Sequence, residues 1–295
     1  MSFSDREKRA AKEPKKKISV IVPNYNYATY LKWRILSIAE QTYPIYEIIV
    51  LDDASSDNSK TVIRRMVAEA KRLQPEMKVD LIWNKKNSGK AVSQWIKGVE
   101  AATGDYIWIA EADDIARKNF LTEVMQGFEK DPEVVISYSE SAIINKYGIL
   151  MMPSFRKSRD KEGRGHYKNS YIRPGKKEIE EIMAIRCTIP NVSAVVFKNT
   201  PELLKYLKLA EKFEQVGDWY LYVKLLENGK IFYNKKSLNL FRVHGGSATK
   251  RGKEHVRELE KMHEYFKNNY DLSKEVLSFM GAEIERIKHK YGIIE

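Results

Sequence analysis

The chain has 295 residues, 43% of them hydrophobic and 11% aromatic, enough to bury a core in one large domain or two small ones. No apolar run approaches the roughly 18 residues of a membrane span, and the charged N-terminus lacks the apolar segment of a secretory signal. Cys187 is the only cysteine, which excludes an intramolecular disulfide and a cysteine-rich zinc site and indicates a reducing, cytoplasmic location.

The net charge of +12 is concentrated in two segments. Residues 5–17 carry seven basic and three acidic side chains, and residues 154–177 carry nine basic and two acidic ones. Proteins that bind nucleic acid usually carry their basic surface on folded elements, so nucleic acid is not expected as a partner. A basic tail and loop instead suit a phosphate-bearing acceptor or the anionic inner face of a membrane. A merely solvated tail is the alternative.

Strands and helices alternate over the first 110 residues. Short apolar runs predict strands, and apolar residues at helical spacing predict helices between them. The predicted strands are 18–22, 47–51, 79–83 and 106–110, and the predicted helices are 30–41, 59–73 and 91–102. Because these strands are apolar throughout rather than alternating, the pattern predicts a parallel sheet covered by helices on both faces.

The second half of the chain has a less regular pattern. It predicts strands at 134–138, 193–197, 231–233 and 238–243, and helices at 202–209 and 218–227. Residues 153–177 are predicted to form one long basic loop. From residue 253 onward, apolar residues recur at helical spacing and predict two amphipathic helices separated by residues 268–271.

Polar clusters follow three of the predicted parallel strands, at residues 23–27, 52–59 and 111–114. Ligands bind beyond the carboxyl ends of such strands, so this edge of the sheet is the predicted site. The acidic cluster 111–114 would repel itself unless a cation neutralised it, and oxygen ligands suit Mg²⁺ or Mn²⁺ bound to phosphates. The alternative is that Asp113 or Asp114 caps a helix over residues 115–126.

Two further segments bear on nucleotide binding. Asp53 follows a strand, where a carboxylate can accept hydrogen bonds from a base or a ribose, although a helix cap is again the alternative. Residues 87–90 look like a phosphate loop, but the first glycine and the hydroxyl residue of a P-loop are missing. No GxGxxG follows the first strand either, so neither a P-loop ATPase nor a standard dehydrogenase is supported.

Taken together, these motifs resemble the family 2 glycosyltransferases, which have the GT-A fold. The resemblance covers about residues 17–250 and is most specific in the first half. The matching segments are SVIVPNYN (19–26), SIAEQTYP (37–44), EIIVLDDASSD (47–57), NSG (87–89), GDYIWIAEADD (104–114), GDW (217–219) and FRVH (241–244). The resemblance implies an α/β GT-A (Rossmann-like) fold with a mixed, mostly parallel sheet, flanking helices and a C-terminal helical extension.

The resemblance also implies roles for individual residues. Asp218 matches the family's catalytic base, while Asp113, Asp114 and His244 would bind a divalent metal, Mn²⁺ or Mg²⁺. Arg242 and Trp219 would contact the diphosphate or the acceptor. The implied nucleotide-binding residues are Pro23, Tyr25, Asn26, Asp53, Asn87, Gly89, Lys90, Glu111 and Ala112.

Some of these residues have a simpler alternative role, and others differ from the usual residue of the family. Asp218 could simply cap the helix over 218–227, and His244 could be a turn residue before two glycines. Glu111 stands where the family's DxD motif has its first aspartate. Gln94 and Trp95 stand where Arg and Asn are common.

The expected function is metal-dependent, inverting transfer of a sugar from a nucleotide-diphospho-sugar, by family habit a UDP-sugar. The expected acceptor is a saccharide or a lipid-linked saccharide, as in bacterial surface polysaccharide synthesis, with peripheral contact to an anionic membrane. One alternative is a GT-A binding or scaffold module without turnover. Another, a nucleotidyltransferase, is disfavoured because residues 23–26 replace the usual glycine-rich loop. The sequence leaves the oligomeric state open.

The same resemblance divides the chain into four parts. Residues 1–17 would be a basic flexible tail and residues 18–118 the nucleotide-sugar-binding half. Residues 119–250 would be the acceptor-binding half with the basic loop 153–177. Residues 251–295 would form helices that cap the domain, dimerise it or dock it to a membrane.

Overall fold

The computed structural model describes residues 15–156, 165–245 and 252–293. Within these ranges the strands are β1 (Ile18–Asn24), β2 (Glu47–Asp52), β3 (Lys78–Trp83), β4 (Tyr106–Ile109), β5 (Ile115–Ala116), β6 (Val134–Asn145), β7 (Leu150–Met152), β8 (Tyr171–Pro174), β9 (Val195–Lys198) and β10 (Lys230–Val243). The helices are α1 (Ala28–Ala39), α2 (Ser59–Leu73), α3 (Ala91–Ala101), α4 (Phe120–Lys130), α5 (Gly175–Glu178), α6 (Pro201–Ala210), α7 (Gly217–Leu226), α8 (Gly252–Asn269) and α9 (Lys274–Lys290). None of them is long and apolar enough to cross a membrane.

The described strands form one mixed sheet in the order β3-β2-β1-β4-β9-β6-β10-β5, with β7 paired to β6 and β8 to β10. The first four strands run parallel, as predicted. β9 is antiparallel to both β4 and β6, and β10 is parallel to β6. The carboxyl ends of β1, β2, β4, β6 and β10 therefore meet at one edge of the sheet, where the site was predicted.

The first half of the chain follows the predicted elements closely, with one difference in burial. Residues of β1, β2 and β4 alternate between two hydrophobic cores, one on each face of the sheet. β3, however, is an edge strand whose side chains are exposed or half-buried. Lys78 and Asp80 are exposed while Val79 and Leu81 between them are half-buried, so the predicted burial on both faces is wrong for β3.

The second half differs more from the prediction. The two strands predicted at 231–233 and 238–243 are one strand, β10, whose register against β6 shifts around residues 234–239. Polar residues at this irregularity interrupt the apolar pattern, which explains why the sequence suggested two strands. Part of the predicted loop 153–177 forms β8 and α5, and residues 157–164 of it lie outside the described residues. So do residues 1–14 of the predicted tail.

Two helix predictions near the site have clear outcomes. No helix spans residues 115–126: β5 occupies the start of that range and α4 begins only at Phe120, so Asp113 and Asp114 cap no helix there. The C-terminal extension is confirmed as two helices. Val256, Leu259 and Phe266 of α8 are buried in the same core as Trp219 of α7, so the extension packs against the domain.

Gly98 tests how closely α3 packs on β1. A methyl group added at this mid-helix position would come within 2.3 Å of Cγ2 of the buried Ile21. We predict that Gly98→Ala lowers the free energy of unfolding by about 1–3 kcal/mol, because overpacking outweighs the better helix propensity of alanine.

The matched control is Gly281→Ala, in the middle of α9, where an added methyl meets nothing within 4 Å. This substitution should raise the free energy of unfolding by up to about 1 kcal/mol. Chemical denaturation of the three proteins measures both changes. A Gly98→Ala protein as stable as the Gly281→Ala protein would contradict the packing of α3 on β1.

Candidate active site

Two adjoining cavities open at the carboxyl edge of the parallel strands. The first has a volume of about 530 Å³ and the second about 570 Å³. They share five lining residues: Gly89, Lys90, Ala91, Glu111 and Asn191. Asp53 and Asp113 line only the first cavity, and Asp218 lines the second. The predicted nucleotide and metal carboxylates, Asp53 and Asp113, thus lie in one compartment of the cleft. The predicted catalytic base, Asp218, lies in the neighbouring compartment.

Most, but not all, of the residues predicted from the sequence line this cleft. Those lining the first cavity are Pro23, Tyr25, Asp53, Asn87, Gly89, Lys90, Glu111 and Asp113. Those lining neither cavity are Asn26, Ala112, Asp114, Trp219, Arg242 and His244. Of this second group, His244 contacts a lining residue through its side chain, whereas Ala112 is fully buried in the core beneath the cleft.

The turn after β1 is fixed by Asn26. Its backbone has φ of +58°, a conformation that asparagine tolerates better than most residues. Its side-chain Oδ1 accepts hydrogen bonds from the N–H groups of Ser56 and Asp57 at 2.8 and 3.3 Å. Asn26 therefore ties the loop after β1 to the loop after β2. Asn26 was predicted to contact the nucleotide. In the structure it fixes the loop that begins after β1 and carries Tyr25, which lines the first cavity with Pro23.

Asp53 organises the loop after β3. Its carboxylate oxygens accept hydrogen bonds from the backbone N–H and the hydroxyl of Ser88 at 2.7–3.0 Å, and from Nδ2 of Asn84 at 2.6 Å. These bonds position Asn87 and Gly89, which line the first cavity. Gly89 has φ of +76°, which favours glycine because a side chain would be strained there.

Gln94, Trp95 and Glu111, the three departures from the family pattern, are connected through this wall of the cleft. Gln94 accepts a hydrogen bond from Asn84 and donates one to the hydroxyl of Ser88. The indole Nε1 of Trp95 donates to Oε1 of Glu111 at 2.7 Å. Burial, together with the charge of Asp113, raises the pKa of Glu111 to about 8 despite this hydrogen bond.

Asp113 and His244 come together from distant parts of the chain. His244 follows the last residue of β10, and its Nε2 lies 3.0 Å from Oδ2 of Asp113. The rings of Tyr27 and Tyr30 pack against the imidazole at 5.5 and 5.3 Å between centroids. Both the carboxylate and the imidazole are mostly buried, with side-chain exposures of 15% and 8%.

This pair fits a divalent cation in its chemistry. A carboxylate oxygen and an imidazole nitrogen are both ligands of Mn²⁺, and Mg²⁺ commonly takes one or two carboxylates together with water and substrate phosphates. In the described part of the chain, no three His, Cys, Asp or Glu side chains are grouped as a metal site. A cation bound to Asp113 and His244 would thus need further ligands from a bound diphosphate and water.

Asp114 lies behind this pair and is almost fully buried. Its Oδ1 accepts a hydrogen bond from the backbone N–H of Arg242, and its Oδ2 accepts one from Nδ2 of Asn191, both at 2.8 Å. The guanidinium of Arg34 lies 3.9 Å away. Burial is the main cause that raises the pKa of Asp114 to about 6. Its oxygens hold neighbouring segments together, so this geometry makes Asp114 a support of the loop rather than a metal ligand.

Arg242 and Trp219 are also placed away from their predicted contacts. The Arg242 guanidinium donates to backbone carbonyls of Asp113, Asn145 and Lys146 at 2.6–3.3 Å and is buried. The indole of Trp219 is buried and donates to the carbonyl of Met183. Neither side chain lines the two cavities described above, and each donates hydrogen bonds to main-chain oxygens.

Asp218 lies in the first turn of α7, at the wall of the second cavity. The helix begins at Gly217, so Asp218 is not the residue that caps it. Its Oδ1 accepts a hydrogen bond from the N–H of Trp219 at 2.7 Å. Burial raises the pKa of Asp218 to about 6 against the effect of that hydrogen bond. The carboxyl group thus titrates closer to neutrality than an exposed aspartate.

Sequence reasoning missed several lining residues. Asn24 and Tyr27 belong to the polar cluster 23–27, which the sequence places at this edge, although neither residue was assigned a role there. Asn191 and Phe241 could not be predicted from the sequence, because only the fold brings them to this edge. Asn191 bonds to Asp114 at 2.8 Å and to Nδ2 of Asn239 at 3.2 Å, contacts between residues far apart in sequence. No spacing in the chain signals such contacts.

The raised pKa of Asp218 has a measurable effect on stability. A carboxyl group whose pKa is higher in the folded than in the unfolded state stabilises the fold at low pH and loses this contribution as the pH rises through about 6. We predict that Asp218→Asn is more stable than the parent by about 3 kcal/mol above pH 7 and equally stable below pH ~4.

Thermal unfolding between pH 4 and 8 measures this difference. The control is Asp271→Asn, which makes the same substitution at an exposed position between α8 and α9. If the stability of Asp218→Asn relative to the parent did not change with pH, the buried setting of this carboxylate would be wrong.

The profile described as Glycosyl transferase family 2 matches residues 19–181, more than half of the chain. The chain is 36% identical to the glycosyltransferase GlyG of Streptococcus pneumoniae over 42% of its own length and 40% of that protein. It is 29% identical to the GalNAc(5)-diNAcBac-PP-undecaprenol beta-1,3-glucosyltransferase of Campylobacter jejuni, over 77% of this chain and 65% of that protein. The chain thus spans less than half of the streptococcal relative.

Solved structures resemble the whole described fold. Staphylococcus aureus TarS 1-349 in complex with UDP superposes with a TM-score of 0.64 at 16% identity, over 92% of this chain and 72% of that one. The mannosyltransferase PcManGT of Pyrobaculum calidifontis, in complex with GDP-Man and Mn²⁺, gives 0.62 at 17% identity, over 99% and 82%. These likenesses confirm the predicted GT-A fold. Given the profile match as well, the chain belongs to glycosyl transferase family 2.

Proposed function

We propose that the chain transfers a sugar from a nucleotide-diphospho-sugar to a saccharide hydroxyl, with inversion at the transferred carbon. The observation that carries this proposal is the pair of adjoining cavities. One contains Asp53 and Asp113, acidic groups suited to a nucleotide and a cation. The other is lined by Asp218 and Glu214, and Glu111 lies on the wall that the two cavities share. A reaction between two bound substrates needs such a shared boundary, because their reacting atoms must meet in a defined geometry.

The first cavity is the proposed donor site. Asp53, fixed by Ser88, would accept a hydrogen bond from the base, and Tyr25 at the cavity wall would pack beside it. Asp113 and His244 would hold the divalent cation together with the diphosphate. The cation, when bound, supplies positive charge to the leaving nucleoside diphosphate.

Lys90 is the residue best placed to add to that charge from the protein. It lines both cavities, and its Nζ donates to the main-chain carbonyl of Glu211 at 2.8 Å. Because Glu211 lines neither cavity, the ammonium would leave this bond to reach a bound diphosphate. A cation beside the diphosphate would stabilise the negative charge that develops on the leaving group.

The second cavity is the proposed acceptor site. Its wall combines the aromatic side chains of Trp95 and Phe213 with the polar groups of Gln215 and Asp218, a mixture suited to a sugar. Asp218, ionised above its raised pKa, would remove the proton from the attacking hydroxyl. One carboxylate is sufficient for a single displacement, so the product would have inverted configuration.

A UDP-sugar donor and a lipid-linked acceptor are the finer parts of the proposal. Support comes from TarS, which binds UDP, and from the campylobacter relative, whose name specifies an undecaprenol-linked acceptor. The Mn²⁺ in the PcManGT complex supports the metal requirement. The proposed enzyme is cytoplasmic and acts at the inner face of a membrane in the synthesis of a surface polysaccharide. This role is consistent with a UDP-sugar donor, a lipid-linked acceptor and a metal requirement.

Asp218→Asn tests the proposed base directly. Removing a general base lowers the rate by about 10²–10⁴, and the amide cannot accept the proton. We predict a loss of this size in release of the nucleotide from UDP-GlcNAc, UDP-glucose or GDP-mannose, whichever the parent turns over, measured with Mn²⁺ and acceptor saccharides.

The pH dependence of kcat/KM of the parent is a second test of Asp218 as the base. Because only the ionised Asp218 acts as base, kcat/KM should fall about tenfold per pH unit below an apparent pKa near 6. Near-parental turnover by folded Asp218→Asn would remove this residue as the base. A well-folded parent that binds nucleotide with Mn²⁺ but never turns it over would favour the binding-module alternative.

A further inference from the structure

An exposed apolar hairpin tip follows β6. Every residue from Lys146 to Pro153 is exposed, and the run contains five of the eleven exposed large hydrophobic side chains of the described residues. Their exposed fractions are Tyr147 75%, Ile149 62%, Leu150 53%, Met151 66% and Met152 37%. Contiguous exposed apolar surface of this kind marks a site of interaction.

The tip stands at the rim of the proposed donor cavity. β6 ends at the same edge of the sheet as β10, and Nη1 of Arg242 donates to the carbonyls of Asn145 and Lys146 at 3.0 and 3.3 Å. On the return side, the ring of Phe155 packs 5.8 Å from Phe241, which lines the donor cavity. The hairpin is therefore held rigidly to the catalytic edge rather than to a remote surface.

Two basic side chains flank the base of this tip. Nζ of Lys146 lies 4.8 Å from the ring centre of Tyr147. The hydroxyl of Ser237 donates to the carbonyl of Pro153, and Nε of Arg117 donates to the carbonyl of Ser237, which places Arg117 near the return side of the tip. No acidic residue occurs between 146 and 156. The surface thus combines an apolar centre with a basic margin.

We infer that residues 146–153 dock the protein on an anionic bilayer. Tyr147, Ile149 and Leu150 enter the interface between headgroups and acyl chains, while Lys146 and Arg117 lie at the headgroups. Charge complementarity selects this occupant. A second copy of the chain, paired through β7, would instead bring two basic margins together.

Docking in this way turns the rim of the cleft towards the membrane. The meaning of that orientation rests on the proposed function, since it would present the acceptor cavity to lipid-linked saccharides. Binding to a bilayer, however, requires neither donor nor turnover. Membrane affinity can therefore be measured whether or not the proposed reaction is correct.

The experiment is flotation of the full chain with vesicles of phosphatidylglycerol and phosphatidylcholine, and with phosphatidylcholine alone. We expect the parent to float with the anionic vesicles and about tenfold less with the neutral ones. Leu150→Asp should weaken anionic binding by about tenfold or more, because it replaces buried apolar surface with a charge. Leu73→Asp is the matched control, at 51% exposure against 53%, and should bind like the parent.

Several outcomes would overturn the inference. One is no flotation of folded parent protein, and another is equal flotation of Leu150→Asp and the parent. Equal losses in Leu150→Asp and Leu73→Asp would assign the effect to general charge. Sedimentation velocity showing a parent dimer that Leu150→Asp dissociates, without vesicle binding by the parent, would make the tip an interface between copies.

Discussion

The arrangement of the acidic segment after β4 depends most on the buried guanidinium of Arg34, with the buried Arg242 beside it. Arg34 is fully buried on α1; its Nε donates to the carbonyl of Glu111 at 2.7 Å, and its guanidinium lies 3.9 Å from Asp114 and 5.6 Å from the ring centre of Trp108. Without this charge, three acids within four residues would repel one another in a poorly solvated place. Burial lowers the pKa of Arg34, while the surrounding carboxylates act in the opposite direction.

The segment can consequently divide its carboxyl groups among different tasks. Asp114 is used inside the protein, where it joins Arg34, Asn191 and the main chain of Arg242. Asp113 is left facing the cavity and His244. Because Arg242 also donates to the carbonyls of Asp113, Asn145 and Lys146, the acidic segment, the end of β10 and the tip after β6 form one connected unit.

The departures from the family pattern also make sense together. A glutamate in place of the first acid of the DxD motif reaches further than an aspartate, and Trp95 supplies the donor that holds it. Gln94 serves in the same wall by joining Asn84 to Ser88 beneath Asp53. Judged one position at a time, these residues look like losses of binding groups. In the structure each of them makes a side-chain hydrogen bond in the wall of the cleft.

The sequence predicted the parallel half of the sheet and the edge that carries the site, because buried strands and polar strand ends leave clear local patterns. The sequence was less informative where contacts between residues far apart in the chain determine the role of a side chain. An aspartate such as Asp114 is often a metal ligand, and an arginine such as Arg242 often contacts phosphate. Only the burial of these two side chains in the structure shows that they hold neighbouring segments together instead. The single strand β10 was predicted as two for the same kind of reason, since a polar irregularity within a strand resembles a loop.

The proposed function depends on binding of a nucleoside diphosphate in the first cavity through a cation held by Asp113. Calorimetric titration of UDP, GDP, dTDP and CDP, each with and without Mn²⁺, measures this binding. We expect that one nucleotide binds more tightly with Mn²⁺, that Asp113→Ala removes this gain, and that Asp218→Asn, in the neighbouring cavity, keeps it. Nucleotide affinity that does not change with Mn²⁺, or that is unchanged in Asp113→Ala, would mean that Asp113 holds no such cation.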